Sequence, residues 1–477
     1  MTVLRKLIDG SRPGQIFAAS LICLVTGIIW LKSGISFAGL AIATLPIAVL
    51  IVLKLPFYFV LGFVLFSFFR LHEVFPQLYP LRIPQLLAIS SLVSLSWALW
   101  SGSIKAYLSR ELGAFLVLFA LVSTGVIFAF DRGAAMSSYT GTYIKIAIMV
   151  FAICWLTTGM SQIKQLSRSF ILSGILVGGV ALQNKAKGLN LVEGTRVTIG
   201  RDIGSILGDP NDLSLVLLFP AGFALSYALN RGVGLPTRIL AITSFVIVIA
   251  AIIATQSRGG LLGIMAVAGV FAYRRVKSKA LLAIAGAALL LVLFAVAGVD
   301  DRASGGAHEQ GIDESAMGRL HAWSAAFRMG LHNPFTGVGI NNFIENYWSY
   351  SNFWDGQNHA VHSTWFGVFA ESGVLGFTAF VTMTILILRA VLKSLKIFSA
   401  VSELPDTQSH REGFALAEAL LASLAGFAVS GTFLTMGFTW PIYILLALAT
   451  VLGKLATQFQ QGYSGIRPKP QIEGPVL

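Results

Sequence analysis

The chain has 477 residues, 56% of them hydrophobic and only 12% charged, with a mean hydropathy of +0.78 and a formal net charge of +13 at pH 7. A soluble domain carries about 25% charged residues, so this composition argues against a soluble enzyme and excludes disordered and collagen-like chains. The two cysteines, Cys23 and Cys154, both fall inside apolar stretches, which excludes a disulfide scaffold.

A bilayer core about 30 Å thick takes roughly 20 mainly apolar residues per helix. On that measure candidate spans run at Gln15–Leu31, Gly34–Leu53, Pro56–Phe69, Gln85–Trp100, Gly113–Phe130, Tyr139–Thr158 and Ser169–Gln183. They continue at Asp212–Asn230, Ile239–Thr255, Gly259–Tyr273, Ala280–Gly298, Ser363–Leu388, Ala415–Leu434 and Pro441–Phe459. Gaps as short as Lys32–Ser33 and Lys54–Leu55 separate some of them, so the expectation is an all-α polytopic membrane protein of about twelve to fourteen transmembrane helices. Arg5, Lys6 and Arg12 before the first run, with no small-residue cleavage site after it, predict an uncleaved signal anchor.

The chain divides into N-terminal helices (1–183), helices with a first arginine-bearing outer loop (184–299), a large outer loop (300–362), and C-terminal helices with a tail (363–477). Lys and Arg gather in the short connections of one side, most densely in Arg274-Arg275-Val276-Lys277-Ser278-Lys279. By the positive-inside rule that side is cytoplasmic, both termini are cytoplasmic, and the two long loops face outward. The +13 is thus an orientation signal and implies no nucleic-acid partner.

The outer loops hold most of the polar side chains able to do chemistry. Arg196 and Arg201 precede Asp209-Pro210-Asn211-Asp212, a turn and helix N-cap launching the next span. Thr255-Gln256-Ser257-Arg258-Gly259-Gly260 joins two apolar runs with almost no loop. An arginine there snorkels, pairs, or faces a watery cavity where it suits phosphate oxygens. Gly318 to Arg328, including Arg319, His321 and Trp323, has amphipathic helical spacing and lies along the membrane face or packs on the bundle. An aromatic stretch follows, with Trp348 and Trp354, readable as an interfacial belt or as a sugar-stacking platform. His359 and His362 close the loop, directly before a long span. No cysteine or placed carboxylate completes a zinc set with them, which leaves a solvated pair or a general base.

The run His362-Ser363, nine residues, then Gly373-Val374-Leu375-Gly376 resembles the pattern of the O-antigen ligase and polymerase superfamily. Supporting elements stand in order: an arginine upstream of Pro210-Asn211, the Ser257-Arg258-Gly259 turn, and Arg319 through Gly337-Val338-Gly339. The likeness covers roughly Arg196–Gly376 and the hydrophobic layout. It implies a bacterial inner-membrane glycosyltransferase of C-type architecture. Such a protein takes glycan from undecaprenyl diphosphate at the periplasmic face, with no nucleotide sugar, metal or other cofactor. Carried over, His362 is the base that activates the acceptor hydroxyl and Arg258 and Arg201 hold the diphosphate. Arg196 and Arg319 are further candidates, with His359, Trp348 and Trp354 on substrate. The implied acceptor is a lipid A–core sugar; polymerisation on the same carrier and transfer to protein share the chemistry. Two departures stand out. Asn358-His359-Ala360-Val361 leads in where members often have a proline, and the Arg201–Pro210 spacing is slightly long, so Arg196 is the alternative first arginine. A secondary transporter is the reading from another class. It calls for mid-depth ionisable residues and matching broken helices, of which the sequence offers only Glu371, near one end of its span.

Overall fold

Inside a bilayer the backbone has no water to bond, so a chain this apolar must satisfy its polar groups within helices. The computed structural model describes residues 36–230, 232–296, 312–400 and 408–464, with isolated helical positions between 20 and 28. It is nearly all helix. In chain order come α1 (Ser36–Lys54), α2 (Pro56–Phe68), the short α3 (Leu71–Val74), α4 (Ile83–Trp100), α5 (Arg110–Ile127), α6 (Arg132–Ser138), α7 (Ile144–Leu156) and α8 (Met160–Lys187). A two-residue hairpin follows, β1 (Leu191–Val192) with β2 (Arg196–Val197), paired antiparallel. Then come α9 (Pro210–Leu229), α10 (Leu235–Ala254), α11 (Arg258–Arg275), α12 (Lys279–Val296), α13 (Ile312–His332), α14 (Phe343–Tyr350), α15 (Thr364–Ala400), α16 (Gln408–Ser430) and α17 (Trp440–Ser464).

The most enclosed helices are α9, α16 and α17. Around them pack α8, α10, α11 and α15. Lipid tails are as apolar as leucine, so small residues and hydroxyls hold such helices together. Ser226 Oγ donates to the Ala415 carbonyl at 2.6 Å and Ser244 Oγ to the Ile171 carbonyl at 2.8 Å, each joining two helices.

Among the described residues nine helices are long and apolar enough to cross a membrane, or up to ten with one bent pair. That is fewer than the twelve to fourteen expected, for identifiable reasons. α1 and α2 meet at a 92° bend, as one broken span or a re-entrant loop, so two candidates count as one at most. α11 carries Arg258, Arg274 and Arg275 at its two ends, and the apolar part of α12 runs only from Lys279 to Leu293. The first candidate span, residues 300–311 with His308, and the basic residues of both termini lie largely or wholly outside the described residues.

The connections gather at two ends of the bundle. At one end Glu418, almost fully buried, binds Arg275 at 2.7 and 3.0 Å, Arg274 at 3.3 Å and Asn230 at 3.0 Å, while Lys164 meets Glu412 at 2.8 Å. A buried carboxylate persists only when paired in this way. At the other end hydrogen bonds join loop to loop: Asp131 with Asn342, Arg196 with Thr255, and Thr364 with Leu434.

α13 packs against α15 through Ala322, Ala325, Ala326 and Met329, with Trp323 stacked on Phe366 at 5.1 Å. The amphipathic helix expected here therefore rests on the bundle. Its fastening explains the glycines of the sequence motif. Gly373 breaks α15 with φ 68° and ψ −169°. A Cβ there would lie 2.5 Å from the Asn333 carbonyl oxygen and 2.6 Å from that of Pro334. Gly337, at φ 62°, would likewise strike the backbone of Glu371 and Ser372 at 2.4 Å. Between these contacts Val338 N donates to Ala370 O at 2.9 Å, Gly339 N to Glu371 O at 3.2 Å and Leu375 N to Pro334 O at 3.2 Å. The Glu371 carboxylate accepts from Phe343 N at 3.2 Å, at the start of α14. Gly373→Ala should therefore cost about 1–3 kcal/mol, the scale of one strained backbone position. A lowered thermal midpoint in detergent, with faster proteolysis near residues 333–343, is the expected readout.

Candidate active site

The site forms where the loop-rich end brings together the starts of α9, α11 and α15. Asp209 caps α9, its side chain accepting from Asn211 N at 2.7 Å and Asp212 N at 3.2 Å, with Pro210 at the first helical position. Ser257 caps α11 by accepting from Gly260 N at 3.1 Å. Ser363 opens α15, accepting from Phe366 N at 3.5 Å.

Arg196 ties these starts together. On β2, opposite Val192, its side chain is buried. Nε donates to the Thr255 carbonyl at 3.2 Å and Nη2 to Asn211 Oδ1 at 3.1 Å, while Glu193 Oε1 lies 3.7 Å from Nη1. Asn211 Oδ1 also accepts from Ser257 Oγ at 2.8 Å. One guanidinium thus fixes the α10–α11 turn against the start of α9. Burial draws Arg196 below its ordinary pKa; Glu193 and Asp209 oppose this, and Arg319 and Arg258 reinforce it. Those influences place four charged side chains of the sequence candidates or their neighbours around it.

Arg258 is the first residue of α11, half-buried beside Gly259 and Gly260. Among the described residues it makes no hydrogen bond or ion pair. A guanidinium beside the positive end of a helix dipole gains nothing from that dipole, so its charge is unspent in the structure.

His362 sits in left-handed backbone geometry, φ 44°, between buried Val361 and Ser363. Val361 is held by Trp323 Nε1, which donates to its carbonyl at 3.1 Å. A non-glycine residue costs energy in this conformation and holds it only when its surroundings dictate it. His362 is exposed to solvent. Desolvation by the surrounding protein draws its pKa below the ordinary 6.5; the Arg319 charge does the same, Asp209 opposes, and His359 adds to the lowering. At neutral pH the ring is therefore uncharged and able to accept a proton.

The structure brings Arg196, Arg258, Arg319 and His362 to one neighbourhood. Arg201 is apart. It lies exposed in a 3₁₀ turn with Nη1 3.5 Å from the Gly208 carbonyl, and it is not among the charges that most affect Arg196 or His362. His359 bonds Asp355, Nε2 to Oδ2 at 2.9 Å, and meets the Tyr347 ring edge-on at 5.4 Å. The slight burial of Asp355 raises its pKa, but the His359 bond outweighs this and holds the carboxyl below its ordinary range. Trp348 and Trp354 are exposed, and among the described residues neither ring stacks on a protein side chain. No group of three or more His, Cys, Asp and Glu side chains stands together among the described residues.

Three participants appeared in the sequence only as turn or cap residues: Asn211, a shared acceptor, Ser257, its partner and cap, and Asp209, whose charge acts on His362. The Pro-Asn step and the Ser-x-x-Gly cap were the signals available for them.

The family model described as O-antigen ligase matches residues 243–381. No curated protein matches the chain. The matched segment holds Arg258, Arg319, His362 and the Gly373 break, on a multi-pass helical membrane protein. Over that segment the chain is similar to the O-antigen ligase family.

Proposed function

We propose that the protein transfers glycan from undecaprenyl diphosphate to a hydroxyl of lipid A–core, at the periplasmic face of the bacterial inner membrane. The observation that carries this reading is His362, held in left-handed geometry directly before α15 with its pKa drawn down by desolvation and the Arg319 charge, together with Arg258 uncommitted at the start of α11. The acceptor oxygen forms a bond to the first sugar's anomeric carbon as that carbon's bond to the diphosphate breaks. His362 takes the hydroxyl proton, and the leaving undecaprenyl diphosphate carries off the bonding pair. Arg258 and Arg319 face the charge that develops on it, the role a metal ion fills elsewhere. Arg196 supports Arg258 through the Thr255 and Asn211 bonds, with its own donors largely used in doing so. This favours Arg196 over Arg201 as the first arginine of the site, in a supporting part. On this reading Trp348, Trp354 and His359 touch sugar, supported by the exposure of the two indole rings.

Both termini are cytoplasmic on this reading, which the basic connections of the opposite end support. Polymerisation of repeat units on the same carrier, or transfer to protein, would use the same groups with another acceptor. A deletion strain separates them. Long lipid-linked chains accumulating while lipid A–core stays bare indicate ligation, and single-repeat capping indicates polymerisation. Unchanged pools of both kinds would remove the proposal. In proteoliposomes transfer should persist in EDTA; loss that added divalent metal restores would replace arginine stabilisation with metal chemistry.

A further inference from the structure

A second polar cluster lies apart from His362, between the N-terminal helices and the first long loop. Glu73, on α3, is 4% exposed, and it is a charged residue that the transfer step does not use. Arg70 Nε donates to its Oε2 at 2.8 Å and Arg70 Nη2 bonds Oε1, a two-pronged grip. His72 Nε2 lies 3.4 Å from Oε1, with the His72 ring stacked over Tyr79. The remaining bond crosses the molecule: Ser205 Oγ donates to Glu73 Oε2. Arg70 adopts φ 53°, left-handed geometry that a side chain rarely takes, and this turns the start of α3 inward.

Ser205 is the pivot of its own loop. Its Oγ accepts from Leu207 N at 3.0 Å, and its backbone N donates to the Gly200 carbonyl at 3.0 Å. Ile199 N donates to the Leu207 carbonyl at 2.9 Å, so segment 199–208 closes on itself around this residue. Arg196 stands just before that closed segment, Arg201 within it, and Asp209 just after.

We propose that Glu73 is a positioning residue, latching segment 199–208 to the N-terminal helices so that Arg196 and Asp209 are presented to the site. The latch is permanent. Burial raises the Glu73 pKa, but the bonds from His72, Arg70 and Ser205, with the Arg70 charge, outweigh it and bring the value to about 2. Glu73 is therefore ionised throughout the physiological range. Its charge is met by Arg70, so the latch holds the loop without adding charge to the diphosphate site. It also gives helices outside the 243–381 match a part in the reaction.

The consequence for catalysis rests on the transfer reading above, so the test has two readouts. Ser205→Ala removes the crossing bond and leaves the Arg70–Glu73 pair intact. In nanodiscs, amide exchange of segment 199–208 should quicken about tenfold, the scale of one hydrogen bond to a charged group. The KM for undecaprenyl-diphosphate-linked glycan should rise about fivefold or more, with kcat and thermal midpoint nearly unchanged, and Ser205→Thr should restore both readouts. Should Ser205→Ala insert poorly, Glu73→Gln, which keeps the side chain's shape, is expected to move both readouts the same way. Unchanged exchange overturns the latch. Faster exchange with an unmoved donor KM, or with kcat and stability falling together, overturns the positioning role. Absence of transfer by wild-type protein would sink the transfer reading separately, and the exchange comparison would still decide the latch.

Discussion

His362→Ala is expected to lower glycan transfer by about 10²- to 10⁴-fold, the contribution of a positioned general base, while the protein inserts and folds as before. In barrier terms that is roughly 3–5.5 kcal/mol, large enough to read as loss of function in cells. Little stability is at risk, because the ring is solvent-exposed and its neighbours Val361 and Ser363 supply the packing and the cap. The same assignment fixes a pH dependence. Desolvation first, then Arg319, holds the imidazole below its ordinary 6.5, so the active neutral form predominates at pH 7. The rate should stay flat from pH 8 to 7 and fall only below 6.5, as the ring takes on a proton. Turnover by His362→Ala within about tenfold of wild type in proteoliposomes, or an acid limb lying above 6.5, would remove the general-base role.

The second large effect is at Arg258. Arg258→Lys keeps the positive charge but replaces a planar fork of donors with a single point charge. Losing one charge-assisted hydrogen bond to a developing diphosphate costs about 1.5–3 kcal/mol, or about tenfold to a hundredfold in rate. The loss should fall on kcat as much as on KM, because the charge grows as the sugar–phosphate bond breaks. Folding should be unaffected, since among the described residues Arg258 holds no protein partner. Wild-type kinetics for Arg258→Lys would exclude a paired contact to phosphate. Arg196 makes a poor probe by comparison: removing a buried, hydrogen-bonded guanidinium costs about 3–5 kcal/mol of stability and confuses binding with folding.

The membrane helices were legible because span length needs no tertiary information, only a sufficient run of apolar residues. Every candidate span from Gly34 onward overlaps a helix of the structure. What the runs could not show was bending: a 92° break after Lys54 separates two candidates that each looked like a straight span. The site was legible in part. Arg258 and His362 lie beside span starts, where sequence position nearly fixes spatial position. Arg196 and Arg201 are only five residues apart, and their fates diverge through the β1–β2 hairpin, which turns Arg196 inward while the 3₁₀ turn leaves Arg201 exposed. A two-residue strand has no sequence period to read. The Glu73–Ser205 bond spans 132 residues and the Arg196–Thr255 bond spans 59, and no local pattern announces such pairings.

The fastening of the outer loop to α15 has a consequence for how this scaffold can change. The contacts that hold it near the base run largely between backbone atoms, from Val338 to Ala370 and from Leu375 to Pro334, with glycines leaving room for them. The exposed stretch 352–358 is held instead through side chains, Phe353 stacking on His321 and Asn352 accepting from Arg328. On the transfer reading, exchange of those residues between homologues is expected to change the acceptor while the backbone fastening beneath keeps its register.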